Sequence, residues 1–201
     1  MTTDEIPILD DRARFYLRNR ADIEEWASLG SQARTSLHHY LQGLGPDIEE
    51  RLAGDGSQVN VEYHDGNPRF VCWLEEWDAV NESGHPLLSV ALEWTRNVTP
   101  DHPDRAPYVG VLALLSTPRG ERLRRAFRDR AIETRTRQGW KHNNTWPAWK
   151  PVLADGEYWD HLDGYREQLL KELATTWEAF SGHITDAAAS LDAEPEHDGL
   201  E

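Results

Sequence analysis

The chain has 201 residues, with 36 acids against 21 bases, one cysteine and nine tryptophans. That length holds one domain with a full core, or two small ones. A mean hydropathy of -0.73 and the lack of an apolar run near ~18 residues exclude a membrane-spanning chain. The N-terminal MTTDEIPILDD has neither a basic nor an apolar leader region. The chain therefore reads as soluble and cytoplasmic. Cys72 alone makes neither an internal disulfide nor a thiolate zinc site.

A net charge of -15 opposes nucleic acid and anionic membranes if it is spread evenly. It is not. Residues 1–60, 61–115, 116–150 and 151–201 carry -5, -6, +7 and -11, so one concentrated basic element lies in an acidic chain. Eighteen of the 21 bases are arginine. That bias fits a GC-rich coding sequence or salt adaptation, so the acidity reads as background as readily as it reads as an acidic working surface.

Phe15, Tyr16 and Leu17 belong to a short helix or turn after the Asp10–Asp11 start, a plausible N-cap. Over residues 20–44, Ile23, Trp26, Ala27, Ala33, Leu37, Tyr40, Leu41 and Leu44 follow helical spacing and predict one buried stripe. Gly43, Gly45 and Pro46 end that helix, and Pro46 opens a short one ending at Gly54. The period then falls to two. Val59, Val61 and Tyr63, the turn His64-Asp65-Gly66-Asn67-Pro68, and Phe70, Cys72 and Leu74 predict a hairpin. Trp73 and Trp77 are expected on the strand face opposite Cys72. Leu88–Trp94 and Tyr108–Leu115 give two further strands, hence a four-stranded antiparallel meander.

Thr117-Pro118 caps a helix to about Arg137 with the stripe Leu123, Ala126, Phe127 and Ala131. Residues 139–156 read as an irregular Trp-rich stretch. A last helix runs from Leu162 to Leu191 through Leu169, Leu173, Trp177, Phe180 and Ile184. The expected fold is α+β: a four-stranded sheet flanked by N-terminal helices and two C-terminal helices. It occupies residues 1–192 as one domain, with an acidic disordered tail at 193–201.

The most distinctive chemistry lies at 118–150. Arg119, Arg122, Arg124, Arg125, Arg128, Arg130, Arg135 and Arg137 precede Trp140, Lys141, His142, Asn143, Asn144, Trp146, Trp149 and Lys150. Guanidiniums bind phosphate bidentately and exposed aromatics stack on bases, so these are candidate phosphate or partner contacts. The plainer alternative pairs the arginines with acids of the C-terminal helix and buries the tryptophans. Trp26, Trp94 and Trp177 are expected in the core. Trp140, Trp146, Trp149 and Trp159 sit where no periodicity buries them.

The nine histidines show no HxH or HxxxH pair, and Asp160-His161-Leu162-Asp163 reads as an ordinary acidic helix start. GxSxG, Walker A and GxGxxG are all absent. No catalytic residue, metal or cofactor is assigned.

Leu92-Glu93-Trp94-Thr95 after Asp78 has the outline of the Asp…Glu-x-Lys strand pair of PD-(D/E)XK nuclease-like proteins, with Thr95 in the lysine position. In that family the carboxylates hold a divalent cation and the lysine activates water. The strands, the basic helix, the loop from Gly139-Trp140 to Trp146-Pro147-Ala148-Trp149 and the helix ending Trp177-Glu178-Ala179-Phe180 resemble a non-catalytic C-terminal module of such prokaryotic proteins. The resemblance covers roughly residues 58–190. Without the lysine it implies an accessory or inactive relative.

The expected function is a non-enzymatic prokaryotic interaction or accessory module. The alternative is a nucleic-acid-associated protein, nuclease-like and inactive, that grips phosphates through helix 118–137. The partner is accordingly a protein or nucleic acid and not a membrane, and a homo-oligomer is compatible with the sequence. An enzyme acting through Asp78 and Glu93 is the third reading.

Overall fold

The computed structural model describes residues 10–53, 58–77, 80, 84–114, 117–154, 156 and 158–192. These form five α-helices and one antiparallel sheet. The helices are α1 (Asp11–Arg18), α2 (Arg20–Gln42), α3 (Gly45–Leu52), α4 (Pro118–Arg137) and α5 (Leu162–Asp192). The strands are β1 (Val59–His64), β2 (Arg69–Leu74), β3 (Leu88–Glu93), β4 (Tyr108–Ala113) and β5 (Ala148–Pro151), ordered β1-β2-β3-β4-β5. The expected tail at 193–201, Asp78 and the Trp159 side chain lie outside the described residues.

The sheet has five strands, not the expected four. The additional one, β5, lies in the stretch read as irregular. It pairs Gly110 with Trp149 and Val111 with Ala148. The reason lies on β4. A Cβ on Gly110 would stand 2.8 Å from the Trp149 Cα and closer still to the Ala148 carbonyl, so only glycine lets β5 approach. Pro151 ends the strand, as proline does at a sheet edge.

One face of the sheet carries the main core. Phe70, Cys72, Val90, Leu92, Val109 and Val111 meet Leu41 and Ile48 of α2–α3, Leu123 and Phe127 of α4, and Leu169, Leu173, Phe180 and Ile184 of α5. Alternation along the strands puts these residues on one side, and helical spacing puts theirs opposite. Each large side chain fully buried here contributes about 1.5–3 kcal/mol. Thr117 caps α4 by accepting the Gly120 N–H at 3.0 Å. Gly139, at φ +70°, turns the chain just beyond its end.

Three buried indoles find an acceptor, as suits an apolar body with a polar N–H. Trp94 donates to His38 Nδ1 at 3.0 Å, Trp77 to Thr185 Oγ1 at 2.9 Å and Trp140 to Gln138 Oε1 at 3.0 Å. Burial lowers the His38 pKa, with Arg96 adding to the effect, which suits a neutral ring whose Nδ1 accepts. Trp77 corrects an expectation. The strand stops at Leu74, and a 3-10 turn over Glu75–Trp77 swings Trp77 into the core, stacked on Trp177 at 5.3 Å between ring centres.

The α2 stripe is corrected too. Only its C-terminal part, from Leu37 onward, is buried, whereas Trp26 is 73% exposed and Leu29 53%. Among the described residues, α1 and the first part of α2 form an arm with no buried side chain. Asp10 caps its start, accepting the Ala13 N–H at 2.7 Å.

Candidate functional site

The outer face of α4 carries a group of arginines, Arg122, Arg124, Arg125 and Arg128, with no ion pair among the described residues. Arg124, Arg125, Arg128 and Arg135, with Asp129 and Ile132, line a hollow of about 180 Å³. Among the described residues no carboxylate stands within ion-pair distance of Arg122, Arg124, Arg125 or Arg128, and the ion pair on this helix joins Arg137 to Glu133. Arg124 Nη1 reaches Asn144 Oδ1 at 3.4 Å, while its Nε is buried without a hydrogen-bond partner. Arg135 is buried and donates to the Pro147 carbonyl at 3.3 Å, so it anchors the following loop rather than facing a ligand. Arg119 and Arg122 are exposed in the first turns.

The expected pairing of these arginines with α5 acids is not what forms. Glu167 of α5 binds Arg51 at 2.7 Å, and Glu172 binds Lys150 at 2.6 Å. Asp47 of α3 takes Arg166. The α5 carboxylates that do pair are thus engaged by other cations.

The Trp-rich candidates separate. Trp140 is buried edge-on to Phe180, with Lys150 Nζ 4.6 Å from its ring centre, so Trp140 belongs to the core and Lys150 is engaged by that ring and by Glu172. Trp146 is also buried, against Val71, Ala91 and Leu112 on the second face of the sheet. The loop carrying it folds back as a flap. Lys141 and Trp149 exchange two backbone bonds of 2.9 Å, the Thr145 carbonyl accepts from Ala113 N at 2.8 Å, and Asn143 Oδ1 accepts from Trp146 N at 2.7 Å. His142, Asn143 and Asn144 are exposed on the flap. Trp149 is half-buried under Lys141 Nζ, 5.0 Å from the ring centre. With Tyr108, Pro103 and Asp104 they border a cleft of about 300 Å³.

Beyond the flap the second face is polar. Glu93 is held between Arg69, at 3.2 Å, and the Tyr108 hydroxyl, which donates to it. Burial first, and the Glu93 carboxylate second, push the Tyr108 pKa well above the phenol range, so the hydroxyl keeps its proton. The carboxylate aligned with the nuclease-like pattern is therefore fully engaged. Next to it, Glu62 and His64 of β1 meet His85, which precedes β3. Burial lowers the His64 pKa against the pull of Glu62. No HxH or HxxxH spacing marks this trio in the sequence. Glu62-x-His64 is an i, i+2 pair on one strand face, visible in the sequence, whereas His85 arrives only through the β2–β3 connection.

Comparison with known protein families, curated proteins and solved structures finds no match to this chain. Among the described residues no helix is long and apolar enough to cross a membrane.

The Arg69–Glu93–Tyr108 set predicts an order of effects. Arg69→Met leaves a carboxylate only 16% exposed without its cation and costs about 2 kcal/mol. Tyr108→Phe removes one hydrogen bond and costs about 1 kcal/mol. Urea unfolding of both variants measures this, and the reverse order contradicts the assignment.

Proposed function

We propose that this chain is an interaction module that pairs with a second copy of itself through the α1–α2 arm. The observation that carries the reading is the exposed apolar set Phe15, Leu17, Trp26 and Leu29 on a helical arm with no fully buried residue before Leu37 among the described residues. Helices in proteins draw most of their stability from packing an apolar face, so an arm whose large apolar side chains stay exposed calls for a partner. Tryptophan in particular is enriched at binding hot spots.

The choice of a second copy rests on charge. Residues 10–36 contain five acids and five bases in a chain of net charge -15, so two copies meet there without the repulsion their other surfaces impose. A two-fold arrangement then buries the same patch on both chains. The engaged state of Glu93 supports an accessory role over hydrolytic chemistry at that carboxylate.

Light scattering after size exclusion tests this. The wild-type chain is expected at twice 23.1 kDa, and Trp26→Glu with Leu29→Glu at 23.1 kDa with unchanged circular dichroism. Wild type that stays monomeric up to ~100 μM contradicts it.

The arginines of α4 favour a second reading, phosphate binding. Three guanidiniums, those of Arg124, Arg125 and Arg128, border one hollow with none of their charge taken up by α5, which suits a polyanion such as nucleic acid. Retardation of duplex DNA is expected at ~50 mM salt, is lost by ~200 mM and disappears in Arg124→Glu with Arg128→Glu. No retardation at ~50 mM salt removes this reading.

A further inference from the structure

We propose that Glu62, His64 and His85 form a site for a divalent first-row transition ion, of which Zn²⁺ fits best. The three are brought together from separate segments. Strand alternation puts Glu62 and His64 on the same face of β1. His85 lies between Gly84, at φ +80°, and Pro86. The glycine turns the chain sharply, and the proline holds the residue before it extended. The isolated bridge between Val80 and Pro86 closes the connection beside it.

Two of the three separations are close to those of ligands around one ion. His64 Nε2 stands 3.6 Å and His85 Nδ1 3.4 Å from the same oxygen, Glu62 Oε2. The three ligand atoms all lie within 4.8 Å of one another. Bonds of roughly 2.0–2.1 Å in a tetrahedral zinc site set its ligands about 3.3 Å apart. A charge-assisted hydrogen bond between imidazole and carboxylate is shorter, about 2.7–2.9 Å. The imidazole rings meet edge to face with centres 5.0 Å apart, so both nitrogens converge on the carboxylate rather than stacking away from it.

The donor set selects the ion class. Two imidazoles and one carboxylate suit Zn²⁺ and its first-row neighbours, whereas Mg²⁺ and Ca²⁺ prefer all-oxygen sites. The nearby cation, Arg69, already binds Glu93 at 3.2 Å, which offsets its repulsion. Glu62 and His85 are 42% and 36% exposed, which leaves room for water at a fourth position. A bound ion would pin the segment before β3 to β1. This site shares no residue with the α1–α2 arm or the α4 hollow and is complete in one chain, so it binds one ion per chain whether or not chains pair.

Zn²⁺ titration of the full, untagged chain by calorimetry tests the site. One ion per chain is expected, and an excess of Mg²⁺ does not displace it. His64→Ala with His85→Ala weakens binding by about 100-fold or more, whereas His142→Ala with His161→Ala, two exposed histidines elsewhere, leaves it unchanged. Should the first pair of changes prevent folding, Glu62→Gln alone and the visible absorption of the Co²⁺-loaded wild type decide. A loss of affinity and a band of low-symmetry Co²⁺ are expected. Absence of binding up to ~1 mM Zn²⁺, equal affinity in both histidine pairs, or a Glu62→Gln chain that binds like wild type overturns the proposal.

Discussion

The second half of this fold depends on the missing side chain at residue 110. Because β4 is bare there, the backbone of β5 can come in beside it, with Trp149 opposite Gly110. Once β5 is seated, Lys141 can pair with Trp149 from the other side, and the flap carrying Trp146 lies over Val71, Ala91 and Leu112. A sheet with helices on one side thereby gains an aromatic cover on part of the other. The same step shields the outer edge of β5, an edge that would otherwise present unpaired backbone to neighbours.

The two faces of the sheet have different physical roles. The helix-covered face holds the large apolar cluster and the indoles that knit helices to sheet. On the other face, small and aromatic residues under the flap give way to ionisable groups toward β1, first Arg69–Glu93–Tyr108 and then Glu62, His64 and His85. Charge is divided with equal clarity. Cations at 51 and 150 take acids of α5, while the arginine hollow of α4 stays without them, and the arm is neutral. Net charge alone says little about such a molecule, since its surfaces differ in sign and in polarity.

Much of this was legible in the sequence. The β1–β2 hairpin, α4 with its Thr117 cap, and α5 follow from periodicity and turn chemistry, because in each the pattern repeats over enough residues to outweigh local noise. The run Ala148–Pro151 is too short for that, and it is flanked by Pro147 and crowded with tryptophan, so its pairing shows only when Gly110 is seen to face it. Trp26 illustrates the opposite error. Helical spacing identifies an apolar stripe but not what covers it, and among the described residues no part of the stripe before Leu37 is buried. Trp140 and Trp146 lie on a loop, where no period exists to announce their burial against Phe180 and the second sheet face. Of the metal-ligand trio, the Glu62-x-His64 half is written in the strand pattern and the His85 half is supplied by topology.

The dependence of the flap on residue 110 is tested most directly by amide hydrogen exchange in Gly110→Ala. The backbone bonds of Lys141, Asn143 and Trp149 are expected to lose protection, while β1 and β2 amides such as those of Val61 and Cys72 keep theirs. Unchanged protection at Lys141 and Trp149 would contradict the account, because β5 and the flap would then be held without the bare position on β4.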